Sequence, residues 1–216
     1  MLELGVKLVA AYFLGSIVGA LVIGSFRGID IRTMGSGNAG GTNALRTQGL
    51  AFAAATVVID VGKGWLAAGW LPSAALPGIP ADPAIGRDWL AACCAAASVS
   101  GHVWPVWHDF RGGKGGATLA GALLALAPVL LMIAVATWLA FAMLFGFVGL
   151  ATVAAAVSVP VAVALSAPGS VPWLAFGIAM ALLVAWAHRG NLARMRAGQE
   201  PRAERLWLLR PRSRSR

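Results

Sequence analysis

Two glycine-rich stretches carry most of the residues able to do chemistry. The first reads GSGNAGGTNALRT, from Gly35 to Thr47, and the second SGHVWPVWHDFRGGKGGAT, from Ser100 to Thr118. Neither is a nucleotide signature. Gly35, Gly37 and Gly40 form a G-x-G-x-x-G without a preceding strand, and Gly follows Lys114 where a Walker loop needs Ser or Thr. The physics of such loops still holds outside those families. Glycines let an anion approach the backbone closely and let successive N–H groups turn toward one centre. Arg46 and Lys114 add whole charges, and Arg46 can hold a phosphate through two parallel hydrogen bonds. Thr118, opening a short apolar run, would add the positive end of a helix. Either stretch alone also fits a tight turn between helices; two of them, both with cations, favour an anion site.

The remaining polar residues sit in or beside apolar runs. Asp60 and Lys63 are spaced i,i+3 and share a helix face, either as a mutually neutralised structural pair or as a functional one. His102 follows Gly101 and reads as a hydrogen-bonded structural histidine. His188 and Asn191 open the segment HRGNLAR, again at i,i+3, beside Arg189 and Arg194. Neither Ser16 nor Ser36 has a flanking His–Asp pair, so a catalytic triad is not indicated. Paired carboxylates for glycosidase-like work and a nucleophile–base pair are also missing from the pattern. No metal-ligand cluster stands out, and no cofactor is expected. Such parts suit an enzyme that positions two anionic substrates, stabilises developing charge and relies on a reactive donor.

What must position these residues is a bundle of membrane helices. Of 216 residues, 59% are hydrophobic and only 12% charged. A soluble domain carries about 25% charged residues, so a single soluble domain is excluded, as are disordered and fibrous chains. A span needs about 20 apolar residues. Candidates run from Leu8 to Phe26, Leu50 to Leu71 and Trp89 to about Pro105; residues 117–187 then form 71 consecutive positions without a charge. The loops 27–49 and 106–116 and the Arg-rich end carry the positive charge, which places them on the cytoplasmic side. Parity then requires the uncharged stretch to cross an even number of times. Pro128, Gly146 with Gly149, and Pro168-Gly169 divide it into four pieces, the first of which, about 117–127, is too short for a full span. The expectation is an all-α membrane protein of seven helical segments, N-terminus outside and C-terminus cytoplasmic, with one short half-helix. Ten-residue alternating segments that would signal a β-barrel are not seen.

Net charge is +9, concentrated in residues 189–216, where nine arginines face Glu200 and Glu204. The division read from composition is therefore a membrane catalytic domain over 1–188 and an Arg-rich cytoplasmic tail over 189–216. The tail suits anionic lipid headgroups, and nucleic acid is not an expected partner. The closing RPRSRSR is low-complexity and expected to be disordered. Cys93 and Cys94, adjacent in an apolar run, read as small reduced core residues.

Taken together, GSGNAGGTN with Arg46, the GHVWPVWHDFRGGKGGAT block, the terminal HRGNLAR, FLGSIVG from Phe13 to Gly19 and DVGKG from Asp60 to Gly64 resemble the bacterial membrane acyltransferases that use acyl phosphate. The resemblance runs from about residue 10 to residue 195, with the five motifs in order. It implies transfer of a fatty acyl group from acyl phosphate to glycerol 3-phosphate, giving 1-acylglycerol 3-phosphate (lysophosphatidate) and phosphate. This is the first acylation step of phospholipid biosynthesis, in the bacterial inner membrane, with the site on the cytoplasmic side. Carried over by motif position, Ser36, His188 and Asn191 are catalytic. Arg46, Lys114, Asn38, Asn43, Gly112, Gly113 and Gly115 bind substrate, the three glycines around the phosphate of acyl phosphate. His188 is either a general base or an orienting group. Val18, Gly41 and Gly190 depart from the family pattern, at positions often held by Pro, Ala and an acidic residue. The alternative is a transporter of an organic phosphate, which broken helices and charges near the midplane would also serve.

Overall fold

Helices form where the apolar runs lie and stop at the glycines and prolines between them. The computed structural model describes residues 1–167, 169–204 and 206–209. The expected disorder of residues 210–216, and Pro168 of the Pro168-Gly169 breaker, lie outside the described residues. The described residues are all-helical, and the chain divides into two compact units, Met1–Pro128 and Val129–Arg216.

In the first unit, α1 (Leu2–Gly15) and α2 (Gly19–Ser25) form a pair bent by 55°. A 3₁₀ turn at Ile31–Thr33 and the short α3 (Gly41–Gln48) carry the first glycine loop. Then come α4 (Leu50–Trp65), prolonged by a π turn to Trp70, and α5 (Arg87–Val103). A second 3₁₀ turn at Val106–His108 leads through the second glycine loop into α6 (Gly116–Leu126). At about 1.5 Å per residue, this 11-residue helix reaches about half way across a hydrocarbon core.

The first span differs from the expected single run of Leu8 to Phe26. It starts at Leu2, and Glu3 and Lys7, the charges that precede the expected run, are satisfied inside the protein. Glu3, 2% exposed, accepts hydrogen bonds from Lys7 at 2.9 Å and from both Arg87 terminal nitrogens at 2.8 and 2.9 Å. Lys7 also donates to the Pro72 carbonyl at 2.8 Å. Two opposite charges with their hydrogen bonds complete no longer behave as isolated ions. Helix crossings in this unit use small residues, as apolar packing without a hydrophobic driving force requires. A Cβ at Gly15 would overlap the Ser98 carbonyl where α1 meets α5, and one at Gly121 would overlap the Val61 carbonyl where α6 meets α4.

The second unit contains α7 (Pro128–Phe145), α8 (Val148–Ser166), α9 (Val171–Ala187) and α10 (Arg189–Arg196), the last two bent by 54° at His188. Gly146, with φ +75°, makes the turn between α7 and α8. Pro160 lies inside α8 without ending it, and its ring packs against Gly177 of α9. Beyond α10 the Arg-rich segment expected as a tail folds back: the Ala203 N–H donates to Gly146 O at 2.7 Å and Leu208 N–H to Met143 O at 2.9 Å. Arg202 stacks over Trp207 at 3.9 Å. Leu50–Trp70, Arg87–His108, Pro128–Phe145 and Val148–Ser166 are each long and apolar enough to cross a membrane, as are the two bent pairs if each is one span.

Candidate active site

The first glycine loop is shaped from inside by Asn43. This residue is 1% exposed; its Oδ1 accepts the Ser36 N–H at 2.9 Å, and its Nδ2 donates to Ile31 O at 3.2 Å and Met34 O at 3.0 Å. Gly35 and Gly37 take φ values of +55° and +71°, and a Cβ at Gly35 would overlap Asn43 Oδ1. Asn43 is among the residues expected at the substrate; here both its amide protons are spent on loop carbonyls and its oxygen holds the Ser36 N–H. Ser36 and Arg46 are exposed, and Asn38 is half-buried.

In the second loop two amides are engaged within the protein. The Gly112 N–H donates to Val103 O at 3.2 Å and the Gly113 N–H to His102 O at 3.1 Å, so neither amide turns toward an anion. Only Gly115, at φ +83°, takes the left-handed conformation, as the residue that opens α6. Lys114 is half-buried between them.

Arg32, which sequence reading treated only as loop charge, ties the two loops together. It chelates the Asp30 carboxylate (2.8–3.1 Å) and donates through Nη1 to His108 O at 2.9 Å and Arg111 O at 3.2 Å. These carbonyls bracket Asp109 and Phe110, both left-handed at φ 55° and 57°. The Arg32 guanidinium holds the Asp30 carboxyl below the usual carboxylate range. The sequence signal was the i,i+2 charge pair itself, which said nothing of the distant carbonyls.

Beneath both loops, Asp60, Lys63 and His102 form one buried cluster. Lys63 Nζ lies 2.9 Å from Asp60 Oδ1 and 2.8 Å from His102 Nδ1, and donates to Ile17 O at 2.8 Å. Asp60 Oδ1 accepts the Gly19 N–H at 3.0 Å. Ile17 and Gly19 are the break between α1 and α2, so this pair supplies partners for the backbone groups the bend releases.

In the second unit, His188 stands at the α9–α10 bend, 6% exposed, with Nδ1 2.8 Å from the Val184 carbonyl. The Nδ1–H therefore donates to that carbonyl. Asn191 Nδ2 donates to Glu200 Oε1 at 2.5 Å, and Arg194 Nε donates to Glu200 Oε2 at 2.8 Å. Glu200 was not among the expected site residues; it lies nine positions past Asn191, where helical spacing gives no signal. The structure brings His188 and Asn191 to one bend in this unit, and Ser36, Arg46, Lys114 and the glycines to two joined loops in the other.

The chain was compared with known proteins. A family model described as glycerol-3-phosphate acyltransferase matches residues 6–198. The glycerol-3-phosphate acyltransferase of Burkholderia cenocepacia is 42% identical over 195 residues, covering 89% of this chain and 87% of the relative. That of Sinorhizobium medicae is 40% identical over 197 residues, covering 90% of each. Among solved structures, PlsY, an integral membrane glycerol 3-phosphate acyltransferase, superposes in its glycerol 3-phosphate form with a TM-score of 0.79 and 29% identity, covering 92% of this chain and 94% of that one. Its lysophosphatidic acid form gives 0.78 and 28%, covering 94% and 97%.

Proposed function

This chain belongs to the glycerol-3-phosphate acyltransferase family, and from that premise we propose how it works: acyl phosphate is the donor, and the reaction centre uses Ser36, His188 and Asn191. The protein is an integral membrane acyltransferase that acylates glycerol 3-phosphate to lysophosphatidate. The family match over residues 6–198 carries the activity. The absence from the motifs of a nucleophile–base pair supports a donor that is already activated. Acyl phosphate is such a donor, a mixed anhydride with a stable leaving group.

The acceptor oxygen attacks the acyl carbonyl, its C–O bond forms, and the bond from carbonyl carbon to phosphate oxygen breaks. The departing phosphate takes the acceptor proton, while His188 and Asn191 orient the glycerol hydroxyls. Arg46 and Lys114 hold phosphate charge, with Arg46 as the bidentate partner. Ser36 is held out toward substrate by Asn43, and Asn38 lies on the same loop. Gly112 and Gly113 contribute by close approach rather than by their amides, and Gly115 by opening α6. The apolar helices make seven segments, with N-terminus outside and the loops and Arg-rich segment on the cytoplasmic side of a bacterial inner membrane. Residues 1–188 form the membrane catalytic part, and the arginines after it face anionic headgroups.

The test is direct. Purified protein in detergent, given glycerol 3-phosphate and a long-chain acyl phosphate, releases inorganic phosphate and lysophosphatidate; acyl-coenzyme A in its place gives no turnover. Turnover with acyl-coenzyme A alone would overturn the donor assignment. Flux of glycerol 3-phosphate into vesicles without turnover would favour a transporter.

A further inference from the structure

The two glycine loops meet at Gly113, and what they meet on is His102. A Cβ at Gly113 would overlap His102 Nε2 and would lie 3.1 Å from the Ala39 carbonyl of the first loop. The Gly113 N–H is already held by the His102 carbonyl at 3.1 Å. His102 thus meets Gly113 twice, by a backbone hydrogen bond and by the closeness of its ring, one residue before Lys114.

The ring's orientation is set from the other side. An ammonium has three protons. Those of Lys63 have three acceptors around them: Ile17 O at 2.8 Å, Asp60 Oδ1 at 2.9 Å and His102 Nδ1 at 2.8 Å. With Nδ1 turned to Lys63 at 2.8 Å and to Asp60 Oδ1 at 3.4 Å, the ring presents Nε2 to Gly113. All three residues are 3% exposed or less. Buried charges kept inside a membrane helix cost stability unless they do something specific.

We infer that His102, oriented by Lys63 and Asp60, is a positioning residue that fixes where Lys114 stands relative to the first glycine loop. It touches no substrate; it acts through Gly113. The same cluster partners the backbone at the α1–α2 break, so one set of buried charges ties the bent span to the loop that carries the cation. The inference rests on the proposal that Lys114 holds substrate phosphate.

Two substitutions separate the two sides of the ring. His102→Asn places an amide oxygen near Nδ1, keeping the acceptor for Lys63, and has no group at Nε2. His102→Gln reaches the Nε2 position and loses that acceptor. In the purified full chain with a long-chain acyl phosphate as donor, His102→Asn should raise KM for glycerol 3-phosphate about tenfold or more. Its kcat, elution on size exclusion and thermal midpoint should stay near wild type. His102→Gln should show a lower thermal midpoint with KM within about threefold of wild type. In a Lys114→Ala background, His102→Asn should raise KM no further, because the residue it positions is gone. A purely structural histidine would lower the folded fraction, and so kcat, while leaving KM unmoved in both backgrounds. Wild-type KM in His102→Asn, an equal KM rise with and without Lys114, or a raised KM in His102→Gln overturns the inference. Unchanged KM in Lys114→Ala alone overturns the phosphate-binding reading of Lys114 instead.

Discussion

At the scale of residues, Arg46 differs from Lys114 in what it offers a phosphate. A guanidinium gives two parallel donors in a fixed plane, whereas an ammonium is a point charge. Arg46→Lys should therefore raise KM for glycerol 3-phosphate more than about tenfold with folding intact, measured by steady-state kinetics and helical circular dichroism. Gly113 is a different case. Its φ is not left-handed, so a turn does not require glycine there; the His102 ring and the Ala39 carbonyl crowd the place a Cβ would take. Gly113→Ala must push against His102 and Ala39, and activity should fall about tenfold or more while the helical signal is retained. The His188 ring is held through Nδ1 by the Val184 main-chain carbonyl, and in the proposed reaction it orients the glycerol hydroxyls. His188→Asn should keep several per cent of kcat, with most of its loss in KM. A general base contributes about 10²–10⁴-fold, so a thousandfold fall in kcat at constant KM would make His188 the base.

At the scale of elements, the half-helix α6 and the breaks at Pro128 and Gly146 were legible, because charge-free length and glycine or proline are properties of the chain itself. The bend between α1 and α2 was not. FLGSIVG contains no proline, and the partners that release the backbone there, Asp60 and Lys63, come from another helix. The loop stitch through Arg32 was equally invisible, since its acceptors lie 76 and 79 residues away. That stitch carries a pH dependence. The folded-state pKa of Asp30 is lowered by Arg32, so its stabilising contribution is complete above the ordinary carboxylate pKa. It is lost as pH falls through the lowered value. Thermal stability should therefore drop on acidification below about pH 4, and less steeply in Asp30→Asn, which has no charge left to lose. An equal slope in both proteins would place the acid sensitivity elsewhere.

At the scale of the whole molecule, sidedness is the property that every proposed role shares. Cysteines placed at exposed Thr33 and Gln199 should react with a membrane-impermeant maleimide only after the inner membrane is opened. One at exposed Ala75 should react in spheroplasts with the membrane intact. Labelling of Thr33→Cys in intact spheroplasts would invert the topology and the site with it. The all-helical membrane class followed from the sequence alone, because hydropathy and charge placement are local and additive. Asn43 shows where that ended: its residue type and position in GSGNAGGTN suggested a substrate contact, and only the folded loop shows its amide turned inward. His102 is buried and hydrogen-bonded as its sequence position suggests, and only the fold shows its ring against Gly113. Glu200 joined Asn191 and Arg194 across a turn that no helical periodicity encodes. In each case the deciding quantity was which polar atoms pair once water is excluded, and pairing between distant segments is settled by tertiary packing.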